Sequence, residues 1–412
     1  MVRRFASVAE AERFIGPEVD RREVARVEEV GPGVSLAVRA VELGDGAFCN
    51  VYTACWRAPA RASLCVVDPL ESPFARAQGL ARGGVRGVVA TGGFFFLADD
   101  AEAVPRARSL NMAVRAGQVW SLPVVGQDAL VGRDGALAVR ELAAEGVLTF
   151  NGAVLRWRGS RAAGEAECVV YGNANVVIQH RADARTGKMR HFIKESRWTP
   201  EAGAGSCDVG FDRGGDGVFR GAGVAERGGL DIFSYDLVLR CVKARVRAPV
   251  GDNVVVVRSV GGLELGDPRL DSVISVGPSL LHGDLEGHPL HGEPSLGSTP
   301  LLGGRRGSRL LYFSDVDGAC RLQLWDGRPG SAVCPGVTLD EAARGARAEF
   351  AVVEGCFLDS GRSGKLCVSD GSGVQSLGNR HYLRWPIAGD DAFVWTPDEG
   401  RPMASLVVIT AG

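Results

Sequence analysis

Residues 335–365 read PGVTLDEAARGARAEFAVVEGCFLDSGRSGK, and this run limits the fold more than any other. Thr338 and Glu341 stand three apart, the spacing of a capping box, so a helix is expected to begin there. Ala342, Ala343 and Ala346 favour its continuation. Phe350 to Val353 and then Cys356, Phe357 and Leu358 read as a buried strand. That strand runs into Asp359, Ser360, Gly361, Arg362, Ser363, Gly364 and Lys365. A carboxylate, two hydroxyls, two cations and two glycines thus arrive together at a strand end, where a rigid scaffold can aim a chemically active loop.

The same texture recurs elsewhere. Ser7 with Glu10 opens a helix, and Pro17 is read as opening a second one through Glu29. Strands are expected at Val34–Val41, Phe48–Trp56 and Leu64–Val67, and a helix at Pro73–Leu80. Val85–Asp100, VRGVVATGGFFFLADD, is an apolar strand that breaks at Gly92 and Gly93 into three aromatics. Paired glycines at a strand end let a ligand or another piece of chain come close to the backbone, and a bulge beside an aromatic cluster is the plainer reading. Turns at Arg115-Ala116-Gly117 and Arg133-Asp134-Gly135 predict hairpins and an antiparallel sheet. Residues 200–230 and 277–307 are poor in apolar side chains and are expected to be long loops. Arg309–Phe313 and Cys320–Trp325 read as a hairpin, and Met403–Thr410 as a closing strand.

With 57 glycines in 412 residues and few long helical patterns, the expected class is α+β. Mostly antiparallel, bent sheets would carry a few packed helices. Residues 1–78 would form a small N-terminal α/β portion and 79–412 the main domain. The net charge of −2 gives no global basic field for nucleic acid, and no run of 18 apolar residues is present to cross a membrane. The N-terminal MVRRFASVAEAERF lacks the apolar core of a secretory signal, so a cytoplasmic location is expected, with most of the ten cysteines as reduced core residues.

Three constellations invite chemistry. His282, His288 and His291 lie in one window with Asp284 and Glu286, and Glu293 lies just beyond; this is good ligand chemistry for zinc or another divalent metal, but the spacing matches no helical zinc motif such as H-E-x-x-H and a solvated loop is the expectation. Gly303 to Arg309 is a glycine and arginine loop suited to phosphate, with Arg309 fixed by its strand. The 359–365 loop fails as a P-loop, because Leu366 follows the lysine, and fails as a nucleophile elbow, because Lys365 stands at the last glycine position.

The order of these pieces resembles the phosphodiester glycosidase family, the group that includes the uncovering enzyme of mannose-phosphate tagging. That family shows Asn-Gly-Gly-Phe-Phe after an apolar strand; Thr91-Gly92-Gly93-Phe94-Phe95 stands in its place here. Gly277-Pro278-Ser279-Leu280, the Arg309 to Gly318 hairpin, Gly336 to Ala343 and the Leu358 to Gly364 loop follow in the family's order, over roughly residues 80 to 412. The departures are Thr91 for asparagine, Ser360 and Arg362 for two glycines, and Gly364 for serine. The resemblance implies cleavage of a glycosidic bond between a sugar and a phosphate, with no cofactor and a small-molecule sugar phosphate as the partner. It implies Asp359 as the carboxylate facing the sugar and Arg309 as the phosphate clamp. Arg362 and Lys365 would be secondary donors, and Thr91, Gly92, Gly93, Phe94, Ser360, Gly361 and Ser363 would contact substrate. Two alternatives stand beside it: a tailoring enzyme on the same scaffold acting on a phosphorylated or glycosylated intermediate, and a non-catalytic sugar-phosphate-binding protein.

Overall fold

The computed structural model describes residues 2–44, 46–96, 108–109, 111–172, 177–182, 189–195, 197–281, 306–361, 363–384 and 392–412. The histidine and acid window at 282–293, Gly303 to Arg305 and Arg362 lie outside the described residues.

A short strand, Arg3–Phe5, opens the chain and pairs with Phe393–Trp395, and helix α1 (Val8–Val19) follows, N-capped by Ser7, whose side chain accepts from the Glu10 N–H. Pro17 does not start a second helix. It sits inside α1, which ends at Val19, and Arg26–Gly31 is strand β1. The alternating exposure along β1 matches its period-two sequence better than a helix would. Strands β2 (Val34–Gly44), β3 (Ala47–Trp56) and β4 (Arg61–Glu71) follow, then helix α2 (Pro73–Arg82) and strand β5 (Arg86–Thr91).

The middle of the chain builds a closed seven-stranded barrel from β6 (Glu145–Phe150), β7 (Ala153–Gly159), β8 (Cys168–Tyr171), β9 (Ser206–Arg213), β10 (Phe219–Ala225), β11 (Leu237–Val242) and β12 (Val254–Val257). Residues 200–230 were expected to be a loop, and they supply two of these strands. Their inward set, Cys207, Val209, Phe211 and Phe219, alternates with small or polar residues, so few apolar residues are needed. Their glycines are required by close approach. A Cβ at Gly210 would strike the Tyr235 ring, and one at Gly221 would strike the Val250 carbonyl. An antiparallel sheet of Ala113–Arg115, Gln118–Ser121, Gln127–Arg133, Ala136–Leu142 and Leu270–Ser275 shares core residues with both the barrel and the rest of the molecule. Its hairpin turns are those read from the sequence: Ala116, Gly117, Asp134 and Gly135 all have positive φ.

The last third contributes β13 (Arg309–Asp315), β14 (Cys320–Asp326), α3 (Leu339–Glu349), β15 (Val352–Phe357), β16 (Leu366–Asp370), β17 (Val374–Leu377) and β18 (Met403–Thr410). These return to the opening strands. One six-stranded sheet has the order β1-β2-β3-β14-β13-β15, and a five-stranded one has β17-β16-β5-β18-β4. Among the described strands, sheet pairing therefore crosses position 78 three times, at Arg3–Phe5 with Phe393–Trp395, at β3 with β14 and at β4 with β18.

The two sheets pack face to face. Leu36, Tyr52, Leu310, Tyr312 and Leu322 of one meet Leu64, Val88, Ala90, Val407 and Ile409 of the other. Their outer faces are apolar too. Val89, Cys367, Leu406 and Val408 receive α2, while Leu311, Phe313 and Trp325 receive α3. The central strands are thus buried on both sides; β5 and β18 read as near-continuous apolar runs, while β3 and β14 also bury Asn50, Thr53, Arg321 and Gln323. In α3 the capping box forms in both directions, and Gly345 leaves room for Trp325, whose ring a Cβ would meet at 2.6 Å. A mid-helix glycine costs about 1 kcal/mol relative to alanine; here it lets the indole lie against the helix. Among the described residues no helix is long and apolar enough to cross a membrane.

Candidate functional site

The loop 358–365 leaves β15, an edge strand of one sheet, and enters β16 in the other. It therefore crosses one end of the sandwich, where β5 also ends. Leu366 pairs with Ala90, so the next step brings Thr91 opposite Lys365, and the Thr91 N–H bonds to the Lys365 carbonyl at 3.2 Å. The Asp359 N–H donates to the Gly92 carbonyl at 2.9 Å. The two glycine-bearing segments read from the sequence do meet.

What they form together divides into a buried part and an accessible part. Thr91 is fully buried and its hydroxyl donates to the Ser363 carbonyl at 2.6 Å. The Gly92 N–H donates to the Ser405 carbonyl at 3.0 Å and the Gly93 N–H to the Ser405 hydroxyl at 2.9 Å. A Cβ at Gly92 would strike Ser405, and one at Gly93 the Ser275 carbonyl. The paired glycines thus serve close packing of this chain against itself, and their N–H groups are committed to Ser405. Ser360 is also spent locally: its hydroxyl donates to the Leu358 carbonyl at 2.8 Å and accepts from the Leu310 N–H at 3.1 Å. Lys365 is fully buried, and its ammonium donates to the carbonyls of Gly378 at 2.9 Å and Pro397 at 2.5 Å, away from Asp359. Desolvation lowers its pKa to about 8.

Asp359, Gly361, Phe94, Phe95 and Arg401 keep partial exposure. The Asp359 carboxylate is surrounded by protein even though the residue as a whole is only half-buried, and desolvation raises its pKa to about 6. Three weaker influences oppose that rise: the charge of Arg401, a hydrogen bond from Ser363 and one from the Ser360 N–H, whose length is 2.8 Å. Arg401 in turn donates to the Ser363 hydroxyl at 3.2 Å and its guanidinium lies 5.2 Å from the Phe95 ring centroid. A line runs from Arg401 through Ser363 to Asp359. Arg401 and Ser405 carry no motif or spacing that the sequence reading could use; only β18 pairing beside β5 brings them here.

Arg309 stands at the start of β13. The register that pairs Leu311 with Phe357, continued by two residues, sets Arg309 across from Asp359. Its side chain is 6% exposed, its Nε donates to the Val337 carbonyl at 3.2 Å, and burial lowers its pKa to about 10, so it is cationic at neutral pH. Arg306 is held by Glu341, the capping-box residue of α3, at 2.6 Å. Arg362, which sequence placed among the substrate contacts, lies outside the described residues. Among the described residues no group of three or more His, Cys, Asp and Glu side chains is arranged to hold a metal ion. A cavity of about 930 Å³ lies elsewhere: Arg61, Arg115 and Thr410 line it, at the far end of β18, and Asp359 is not among its lining residues.

No family model matches the chain, and no curated protein matches it. Solved structures do. A hypothetical protein from Synechocystis aligns with a TM-score of 0.55 at 14% identity over 95% of this chain, which spans only 64% of that protein's length. A protein from Burkholderia pseudomallei K96243 aligns with a TM-score of 0.50 at 15% identity, covering all of this chain and 90% of the other. The zebrafish N-acetylglucosamine-1-phosphodiester alpha-N-acetylglucosaminidase catalytic domain, auto-inhibited by its pro-peptide, aligns at 12% identity over 97% of this chain and 93% of that one, with a TM-score of only 0.39. The chain shares its fold with the first two, and at these identities the likeness extends to the fold alone.

Proposed function

We propose that the protein is a hydrolase of the glycosidic bond between a sugar and a phosphate group, with Asp359 as its working carboxylate. The observation that carries this reading is the setting of Asp359: a half-buried carboxylate at a strand end, raised to about 6, beside a partly exposed guanidinium. A group titrating near 6 is ionised at neutral pH yet still basic enough to accept a proton or attack an electron-poor carbon. The departing phosphate is a good leaving group, so the site must mainly stabilise an oxocarbenium-like centre and hold the anion. Arg401 is the clamp we assign, because it is accessible and its charge reaches Asp359. Arg309 lies behind, its guanidinium turned to the Val337 carbonyl, and adds positive charge without open access. Phe94 and Phe95 supply an apolar wall for a sugar face. Thr91, Gly92 and Gly93 hold Asp359 in place and do not reach the ligand.

A panel of sugar 1-phosphodiesters, scored for free sugar and phosphomonoester, tests the assignment. Release of both products by the wild type and loss of release in Asp359→Asn is the expected result; a wild type inert on the whole panel rejects it. The second reading is a protein that binds a sugar phosphate without turning it over. The packing of Gly92 and Gly93 against Ser405 and Ser275, where an open wall was expected, favours it. Binding by calorimetry that Asp359→Asn leaves unchanged, with no turnover by either protein, would establish that alternative.

A further inference from the structure

Three cysteines outside the candidate site stand in one row across the barrel wall. Strand β11 lies between β8 and β9. Cys207 pairs directly with Cys241. On the other side Val169 pairs with Arg240, so one further step along the register sets Cys168 opposite Cys241. The side chains of all three belong to the barrel's inner core, with exposures of 1% for Cys168, 1% for Cys207 and 3% for Cys241. Cys168 is the first residue of β8, Cys207 the second of β9 and Cys241 the last but one of β11, so the row lies at one rim.

The hydrogen-bond pattern distinguishes the two neighbours of Cys241. The Lys243 N–H donates to the Gly205 carbonyl at 2.8 Å, which makes that facing pair a bonded one. Two residues along, Cys207 and Cys241 form the next bonded pair, with Cα atoms about 5.5 Å apart. The main-chain groups of Cys241 then point towards β9. Its pairing with Cys168 is of the non-bonded kind, with Cα atoms about 4.5 Å apart and side chains closer. A disulfide needs Cβ atoms about 3.5–4.5 Å apart, which the non-bonded pair meets better, while the Cys207 and Cys241 thiols share a side-chain hydrogen bond.

We propose that this row is a covalent modification site in which Cys241 and Cys168 form a cross-strand disulfide on exchange with an organic disulfide, leaving Cys207 as a thiol. The Cys241 thiolate attacks one sulfur of the incoming disulfide and expels the first thiol. The Cys168 thiolate then attacks the Cys241 sulfur of the mixed disulfide and expels the second. The two protons from the cysteines end on the two released thiols, and the incoming disulfide takes up the two electrons. Burial raises both thiols, Cys168 to about 12, so the exchange is slow. The closed loop ties β8 to β11 at the rim and restricts the unfolded chain.

The test uses the full chain, native and reduced, incubated with oxidised glutathione, then alkylated and digested without reductant. The expected result is a peptide pair linked through Cys168 and Cys241, with Cys207 alkylated, and a thermal midpoint raised by several degrees that reductant reverses. Cys207→Ala retains the link and Cys241→Ala loses it. A native wild type that yields only alkylated cysteines, only glutathione adducts, or a link through Cys207 overturns the proposal without any appeal to the variants.

Discussion

The Thr91 hydroxyl donates to the Ser363 main-chain carbonyl at 2.6 Å, joining positions 272 residues apart. That bond, with Asp359 N–H to the Gly92 carbonyl, fixes the crossing loop against the end of β5. The loop's carboxylate is held in a costly environment by main-chain bonds that do not depend on its charge, an arrangement usual where function outweighs stability.

Asp359→Asn is expected to abolish most turnover while leaving the protein at least as stable as the wild type. The sign follows from the raised pKa. The folded state holds a proton up to about pH 6 that the unfolded chain loses near 3.8, so stability falls as pH rises between those values and the full cost applies above 6. Discounted for partial exposure, the gain in the amide variant is about 1–2 kcal/mol at pH 7.5 and vanishes below pH 4. Denaturant titrations at both pH values measure it. A variant that loses stability at pH 7.5 would contradict the desolvation account.

The same pKa sets the acid limb of the pH–rate profile. Turnover of a sugar phosphodiester should fall as pH drops through about 6. Arg401→Gln should move that limb upward, because the cation that holds the carboxylate down is gone, and should lower kcat/KM by roughly 30- to 100-fold through loss of a charge-assisted contact. Unchanged kinetics in Arg401→Gln would return the clamp to Arg309.

Lys365→Met should leave KM for the sugar phosphate unchanged, since the ammonium is spent on the Gly378 and Pro397 carbonyls. Stability carries the signature. Its folded pKa, about 8, lies below the ordinary 10.5, so the unfolded chain binds more protons between those values. Wild-type stability should therefore rise from pH 8 to pH 10.5, by about 3 kcal/mol at most, relative to the methionine variant. Parallel pH profiles for the two proteins would show the assignment of this titration to be wrong.

Gly93→Ala should destabilise by roughly 2–3 kcal/mol, because its methyl group meets the Ser275 carbonyl with no flexible side chain to yield. Gly361→Ala should be milder: φ is 61° there but nothing lies within 4 Å of the added carbon. Equal losses at the two positions, read from urea midpoints, would mean that crowding at Gly93 is relieved by backbone shift.

Local chemistry was legible without coordinates. Thr338 and Glu341 announce a capping box whatever surrounds them, and Ala116-Gly117 and Asp134-Gly135 demand turns with positive φ. The α+β class also followed from such signals along the chain, whereas the meeting of the 91–93 and 359–365 segments was what the family resemblance implied. What a side chain does once two segments meet is set by the layer above and below it, and those layers come from remote sequence. Lys365 follows a loop full of phosphate chemistry, yet β16 turns it into the core. Thr91 and the glycine pair carry the right residue types for a ligand wall, and β18 and Ser275 occupy that space first. The same nonlocal pairing closed a barrel through glycine-rich residues 200–230 and brought Arg401 beside Asp359. Residue type and spacing fix local conformation because the interactions act within a few positions, whereas side-chain direction and access depend on which strand of a double-faced sheet lies next door, and that is decided only when the whole chain packs.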